Sequence, residues 1–346
     1  MTMERNTAHE ETLKDVGFTI FEEIYELGFF GWQPGFMPGD VTLDNLKSAK
    51  HIVECVDEDQ MPPEIVETEK LNANLPTRFL TLPPQEHANR FPYNKFDIAS
   101  LYVAKAKRGV DLDTVDFMFG GSTLEFLANK KNPEKPGAFY AAVLVPSTNI
   151  VMVKKVDDYI QNYADPGFQF SRLVTGRRFE DVEYVDYMFE HMQTIQMDGH
   201  KVFFKGESDA IHKPDGGTCV PVETKANNPW FWGTKVMFQL ISNGSSLMIH
   251  GKKGRGGYLN HVRPYTLKEM CETSTKDVSI SSLEQNLRDC LNTLRDAKES
   301  VLADGSVHVI HFANNEMQLR KYQGKDQEKI ALFPNEEVCK ELFESD

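Results

Sequence analysis

The stretch from Lys205 to Lys225, KGESDAIHKPDGGTCVPVETK, constrains the fold more than any other part of the chain. Two runs with alternating apolar residues, KVFFKGESDAI and TCVPVETKA, flank the turn His212-Lys213-Pro214-Asp215-Gly216-Gly217. Proline followed by Asp-Gly-Gly between such runs predicts a β-hairpin, because these residues favour the backbone angles of a reversal. Side chains on a strand alternate between faces, so Glu207 and Asp209 are expected on one face of the first strand. Glu223 and Lys225 are expected on one face of the second. Where those faces meet, three carboxylates and an ammonium converge. Carboxylates held together repel unless positive charge lies between them. Mg²⁺ is such a charge, and it prefers a few carboxylates together with waters and phosphates. Alternating charges also describe a solvated sheet face, so the spacing alone leaves both readings open.

Two flanking features favour the site. Upstream, Gly176-Arg177-Arg178-Phe179-Glu180 precedes DVEYVDYMFEHMQ. Phe179, Val182, Val185, Phe189 and Met192 fall at helical spacing, which predicts an amphipathic helix with Glu180 near its start. There Glu180 either favours the helix dipole or supplies a fourth carboxylate. Downstream, PWFWGTKVMFQLIS predicts a helix on which Gln239 is the polar residue of an apolar stretch. A buried glutamine needs partners, either backbone or a phosphate.

The remaining segments read as alternating hairpins and helices. A helix is expected over Asp97–Gly109, and another within 112–131 starting from Ser122 as N-cap. Gly120-Gly121 before that helix either approaches a phosphate through backbone N–H groups or forms a plain turn. Hairpins are expected in YAAVLVPSTNIVMV and in SLMIHGKKGRGGYLNHVRPY. Leu283, Leu287, Leu291, Leu294 and Val301 mark a long amphipathic helix stopped by Gly305. Strands SVHVIHF and MQLRKY and a short C-terminal helix follow. The aromatic run FTIFEEIYELGFFGW predicts a strand or short helix whose rings either line a base-stacking surface or pack the core, with packing favoured, and residues 1–15 read as a disordered tail. Hairpins predominate, so the expected fold is a single α+β domain over 1–346 with a mixed sheet.

Bulk properties narrow the function. Net charge is −14, which argues against broad non-specific binding to nucleic acid but leaves room for a narrow basic channel. Lys252, Lys253 and Arg255 form the strongest basic cluster, either a tip that follows a phosphate backbone or a soluble loop. Five scattered cysteines without a C-x-x-C pair read as reduced thiols of an intracellular protein, nuclear or cytoplasmic. No signal peptide or run of 18 apolar residues is evident, which gives no membrane partner.

In order and spacing these motifs resemble the decapping exoribonuclease (DXO) family. Its members carry G-Φ-x-Φ-E, then E-Φ-D, then E-Φ-K, then a helix with a glutamine. The matching positions are Gly176–Glu180, Glu207-Ser208-Asp209, Glu223-Thr224-Lys225 and Gln239, and the resemblance runs from roughly Arg78 to the C-terminal strands. It implies two sheets flanked by helices, with a PD-(D/E)xK-nuclease-like metal site in the cleft between them. It implies that Glu180, Glu207, Asp209 and Glu223, with the Thr224 carbonyl, hold one or two Mg²⁺ or Mn²⁺ ions. Lys225 and Gln239 would position water and phosphate. The implied activities are removal of incomplete or NAD-type caps, pyrophosphate release or 5′-to-3′ digestion of RNA with a modified or phosphorylated 5′ end.

The sequence departs from the family in its first motif, where Phe119-Gly120-Gly121 stands in place of Trp-Arg-Gly. Arg177, Ser208 and Thr224 also occupy positions that are apolar in the family. Arg177 or Arg178 is a candidate to replace the missing guanidinium, whose fork no other side chain reproduces. Two functions remain: a hydrolase of RNA 5′ ends, or a catalytically impaired binding or protein-interaction member of the same family.

Overall fold

The alternation of hairpins and helices resolves into two sheets with helices on their faces. The structure, a computed structural model, describes residues 4–32, 52–55, 61–79, 88–90, 97–157, 160–162, 166–177, 188–214, 219–226, 233–275, 278–324, 333–334 and 336–344. In chain order it begins with β1 (Glu4–Arg5), α1 (Thr7–Asp15), β2 (Phe21–Trp32), β3 (Ile52–Glu54), α2 (Thr68–Ala73), β4 (Thr77–Arg78), β5 (Ala88–Arg90) and α3 (Asp97–Tyr102). Next come β6 (Phe117–Phe119), α4 (Gly121–Asn129), β7 (Phe139–Leu144), β8 (Val151–Val156), β9 (Ile160–Asn162) and α5 (Pro166–Val174). The central part holds β10 (Met188–Met197), β11 (His200–Glu207), β12 (Ala210–His212), β13 (Val220–Lys225), α6 (Gly233–Ser242), β14 (Leu247–Lys253) and β15 (Tyr258–Thr266). The chain closes with α7 (Leu267–Ser274), α8 (Ile280–Lys298), β16 (His308–Ala313), β17 (Glu316–Lys321) and α9 (Glu336–Phe343).

The large sheet runs β1-β2-β10-β11-β6-β8-β7-β16-β17, with β3 also paired to β2. The small sheet runs β12-β13-β14-β15-β4, and β5 pairs with β9. Both larger sheets mix directions: β11 is parallel to β6, and β13 is parallel to β14. The α+β class and the two-sheet core thus match the expectation. So do the β7–β8, β14–β15 and β16–β17 hairpins.

Alternation on β11 shows how the core is divided. Val202 and Phe204 join a cluster with Leu13 of α1, Phe238 of α6 and Leu287 of α8. Phe203, between them, joins Ile98 of α3 and Leu342 of α9 on the opposite face. A third cluster places Phe170 of α5 on Val222, Ile249 and Val262 of the small sheet. Helix α8 buries Leu283, Leu287, Leu291 and Leu294 as their spacing predicts, but it ends at Lys298 rather than at Gly305, and Val301 lies beyond it and is exposed. All five cysteines are free thiols. Burial pushes the pKa of four of them, Cys55, Cys271, Cys290 and Cys339, up to about 12, which suits inert packing residues.

Three local expectations are corrected. Residues 4–15, the described part of the expected tail, are structured, since Glu4–Arg5 pairs with β2 and Thr7–Asp15 is helical. Asn6 caps that helix through the N–H of His9, and Glu10 accepts from the backbone of Ile24. The helix expected through Phe189 and Met192 is strand β10 over the described residues. That strand lies between β2 and β11 and is buried on both faces, so its apolar residues need not alternate and mimic a helical spacing. Helix α4 starts at Gly121 with Gly120, not Ser122, as its N-cap.

Gly121 is required by packing. A Cβ there would stand 2.5 Å from the Ser242 hydroxyl and 3.1 Å from the Gln239 Cα on α6. The two helices therefore meet backbone to backbone. Gly121→Ala is expected to destabilise the fold by about 1–3 kcal/mol. Urea unfolding would measure this, and a neutral result would mean that α4 and α6 can separate without cost.

Candidate active site

The two carboxylates of E-x-D do not share a strand. Strand β11 ends at Glu207, and the chain then leaves the large sheet to enter the small one at Ala210. This corrects the expectation of one continuous first strand, although β12 and β13 do pair as the predicted hairpin. The break has a local cause. The buried Ser208 donates its hydroxyl to the Ala210 carbonyl at 2.9 Å, and its N–H bonds to the Phe189 carbonyl at 2.9 Å. Such short-range bonds compete with a regular ladder.

The crossing places Asp209 against Thr224, beside the Glu223–Lys225 contact of the small sheet. Asp209 accepts two hydrogen bonds on Oδ2 from Thr224, one from the backbone N–H and one from the hydroxyl, each 2.8 Å. The Thr224 Oγ1 also lies 2.7 Å from the Ser171 hydroxyl of α5. With the threonine proton directed to Asp209, Ser171 is the donor in that contact. Ser208 and Thr224, two of the three polar residues at apolar family positions, are thus satisfied. Glu223 is buried, contacts Lys225 Nζ through Oε1, and accepts from Asn243 Nδ2 at 3.3 Å on Oε2.

Burial and these neighbours set the charge balance of Glu223 and Lys225. Burial raises the Glu223 carboxyl, Asp209 adds to that, and Lys225 and Lys235 only partly offset it. Burial opposes the charge on Lys225, but Glu223, Asp209 and Glu207 together outweigh it and hold the ammonium above the usual lysine range. All three carboxylates therefore act on one lysine. Among the described residues, no three His, Cys, Asp or Glu side chains form a ready metal cage. Glu180 and Arg178 lie outside the described residues.

Gln239 sits on α6, one helical turn before Asn243, which holds Glu223. Its Oε1 is buried and has no hydrogen-bond partner among the described residues. Gly176 has φ +71° and ends α5 in a Schellman motif, with Arg177 N–H bonded to the Arg172 carbonyl at 2.9 Å and Gly176 N–H to that of Leu173 at 3.0 Å. The first glycine of the upstream motif is thus a helix stop that places Arg177 just past the end of α5. Gly120, which stands where the family has arginine, packs close to the large sheet: a Cβ there would be 3.7 Å from the Lys205 carbonyl.

Sequence reasoning missed two groups. Asn243 carries no motif, although it follows Gln239 by one turn and precedes a Gly-Ser turn. The second group is a buried charge network beside Glu207. Lys205 Nζ lies 3.1 Å from Asp97 and 3.0 Å from Glu190, and Lys154 Nζ lies 2.9 Å from Asp97. Burial opposes these charges, but pairing wins and holds Lys205 above and Asp97 below their usual ranges. Glu190 stands directly opposite Glu207 in the β10–β11 ladder. Like charges so placed repel, and Lys205 neutralises one of them.

A buried histidine pair lies behind the Asn243 turn. A Cβ on Gly244 would be 3.0 Å from His191 Cε1. Burial pulls the pKa of His9 down to about 4 and that of His191 to about 3, the latter assisted by His9. Both values lie below that of an unfolded histidine, about 6.5. Their contribution to stability is therefore present above pH 6.5 and is lost as pH falls towards the folded values. Each ring should cost up to about 1.4 kcal/mol per pH unit across that window. Urea unfolding from pH 7.5 to 4.5 is expected to show this slope, reduced in His9→Leu. An equal slope in that variant would remove His9 from the account.

No protein-family model matches the sequence, and no curated protein matches it. Solved structures do. Rai1 of S. pombe in complex with 3′-FADP aligns with a TM-score of 0.55 at 16% identity, covering 90% of this chain and 98% of that one. Rai1 of Candida albicans in complex with pU5-Mn²⁺ aligns with a TM-score of 0.59 at 12% identity, covering 94% and 97%. Dxo1 of K. lactis in complex with manganese aligns with a TM-score of 0.52 at 10% identity, covering 88% and 92%. At such identities the likeness is one of fold. The motif resemblance to the DXO family and this alignment agree over most of the chain, which has the fold of the Rai1 and Dxo1 structures.

Proposed function

We propose that the protein is a metal-dependent hydrolase of RNA 5′ ends, removing incomplete or NAD-type caps, releasing pyrophosphate or digesting RNA 5′ to 3′. The observation that supports this reading is that Asp209, held by Thr224, and Glu223, in contact with Lys225, come together where β11 hands over to the small sheet, with Glu207 ending β11 two residues before Asp209. The donors are all carboxylate oxygens, which fit Mg²⁺ or Mn²⁺. Glu207, Asp209 and Glu223, with Glu180 and the Thr224 carbonyl, would hold one or two such ions. A divalent ion bound there supplies charge neutralisation for a phosphoryl oxygen and a hydroxide near neutral pH.

The chain's own residues do the rest. Thr224 fixes Asp209 in one orientation. Lys225 serves as a point charge that holds a phosphate or aligns the attacking water. Gln239 offers a buried amide oxygen that accepts a hydrogen bond from that water. Arg177, and Arg178 beside it, take the substrate phosphate in place of the first-motif arginine. Ligands of the similar structures, pU5 with Mn²⁺ and 3′-FADP, fit a substrate of this chemistry. The working compartment is intracellular, nucleus or cytoplasm, where free thiols persist.

A second reading, a 5′-end-binding protein without catalysis, is favoured by one observation. Gly120 brings no cation to the site, and the neighbouring Lys205 is committed to Asp97 and Glu190. Turnover separates the two. Purified protein with Mn²⁺ is expected to hydrolyse at least one of 5′-triphosphate, 5′-monophosphate, unmethylated-cap or NAD-capped RNA, and chelator should abolish this. Glu207→Gln and Asp209→Asn should each lower kcat/KM by at least about 100-fold. Turnover indifferent to chelator and to both variants would sink the hydrolase reading, and RNA binding without turnover of any substrate would establish the second one.

A further inference from the structure

A 5′ end held at Glu223 and Lys225 brings a polynucleotide with it, and the small sheet has one face suited to that chain. From Thr224 to Lys268 the sequence contains no aspartate or glutamate, yet it holds five lysines and two arginines. In a chain with 52 acidic residues and a net charge of −14, this is a local reversal of sign.

Strand register places these cations on the same face as the site. Glu223 and Lys225 pair with Met248 and His250 of β14. His250 in turn pairs with Arg263 of β15, and Lys252 pairs with His261. Paired residues share a face, as do alternate residues along one strand. Lys225, His250, Lys252, Arg263 and His261 therefore share one face of the sheet; Met248 and His250 are buried on it, whereas Lys252, His261 and Arg263 are exposed at its outer end. The other face is apolar core, where Val222, Ile249, Leu259 and Val262 pack with Phe170. Lys252 stands two residues past His250, about 7 Å further along the strand.

At the far end, after the irregularity at Lys252/Lys253, Tyr258 pairs with Arg78 of β4. The Arg78 guanidinium lies 5.9 Å from the Tyr258 ring centre, and Tyr258 is 40% exposed. Arg263 lies 4.4 Å from the Tyr265 ring centre and shares its charge with Glu269. Arg78, Lys252 and Lys253 are exposed and make no ion pair among the described residues.

We infer that the exposed outer end of this face, from Lys252 across β15 to Arg78 of β4, is a track for single-stranded nucleic acid beyond the catalytic cleft, an inference that rests on the proposed function. Lys252, Arg263 and Arg78 contact successive phosphates, and Tyr258 stacks on a base. Cations interleaved with exposed aromatic rings bind both the backbone and the bases of a single strand, whereas an acidic protein surface has no use for the rings.

The test is fluorescence anisotropy with 5′-monophosphorylated oligouridylates of two and ten nucleotides, over a range of salt and in chelator so that none is consumed. The full chain is expected to bind the ten-mer at least tenfold more tightly than the two-mer. Arg78→Glu/Lys252→Glu should remove that advantage and reduce the salt slope by about 0.7 for each phosphate that is no longer held. Tyr258→Ala should weaken the ten-mer about tenfold. These residues are exposed, so thermal unfolding should be unchanged. A wild-type length advantage that survives in both variants overturns the track and leaves the proposed function standing. If the full chain binds neither oligomer, the RNA reading and the track fall together.

Discussion

The two hydrogen bonds from Thr224 to Asp209 are the interaction on which the site depends. Asp209 lies in the short connection between the large and small sheets, and Thr224 lies in the middle of the small one. A carboxylate accepting from an N–H and a hydroxyl at 2.8 Å forms charge-assisted bonds, each worth about 1.5–3 kcal/mol. They fix where the chain turns after Glu207. Glu207 therefore ends a strand of one sheet, while Glu223 and Lys225 lie on a strand of the other. Asn243 closes the arrangement by donating to Glu223 while its Cβ packs against Gly206 at the end of β11.

Charge near the site is handled by pairing. Glu223 is buried with a carboxylate neighbour, an arrangement that costs free energy in the absence of positive charge, and Lys225 supplies one such charge. Behind it, Lys205 and Lys154 neutralise Asp97 and Glu190, so the wall beside Glu207 carries no net charge from these four groups. Removing one partner of such a buried set typically costs about 3–5 kcal/mol. This network keeps repulsion at Glu207 low, and it leaves the acidic site as the locus of unbalanced charge in this region. The exposed cations of β14 and β15 lie on the same sheet face, where they add an attractive field for a polyanion.

Much of the fold and site is legible in the sequence because it is local. Alternation marks β12 and β13 as paired strands, and leucine spacing marks α8. The pairing of Glu223 with Lys225 follows from their separation by one residue on a strand. What is not legible comes from long-range packing. The break at Ser208 depends on a carbonyl of β10, and β10 itself resembles a helix because burial on both faces erases alternation. Asp97 and Lys154 meet across 57 residues with no motif in either. The absence of an arginine at Gly120 is plain from the sequence, while the packing requirement at the adjacent Gly121 is set by α6 and is visible only in the fold.

The central claim is that carboxylates from two sheets form one divalent-metal site. Calorimetric titration with Mn²⁺, on the wild-type chain and on Asp209→Asn and Glu223→Gln, tests it without reference to any substrate. The account predicts saturable binding by the wild type, weakened at least about tenfold in each variant. No binding by the wild type, or equal binding by all three, would contradict it.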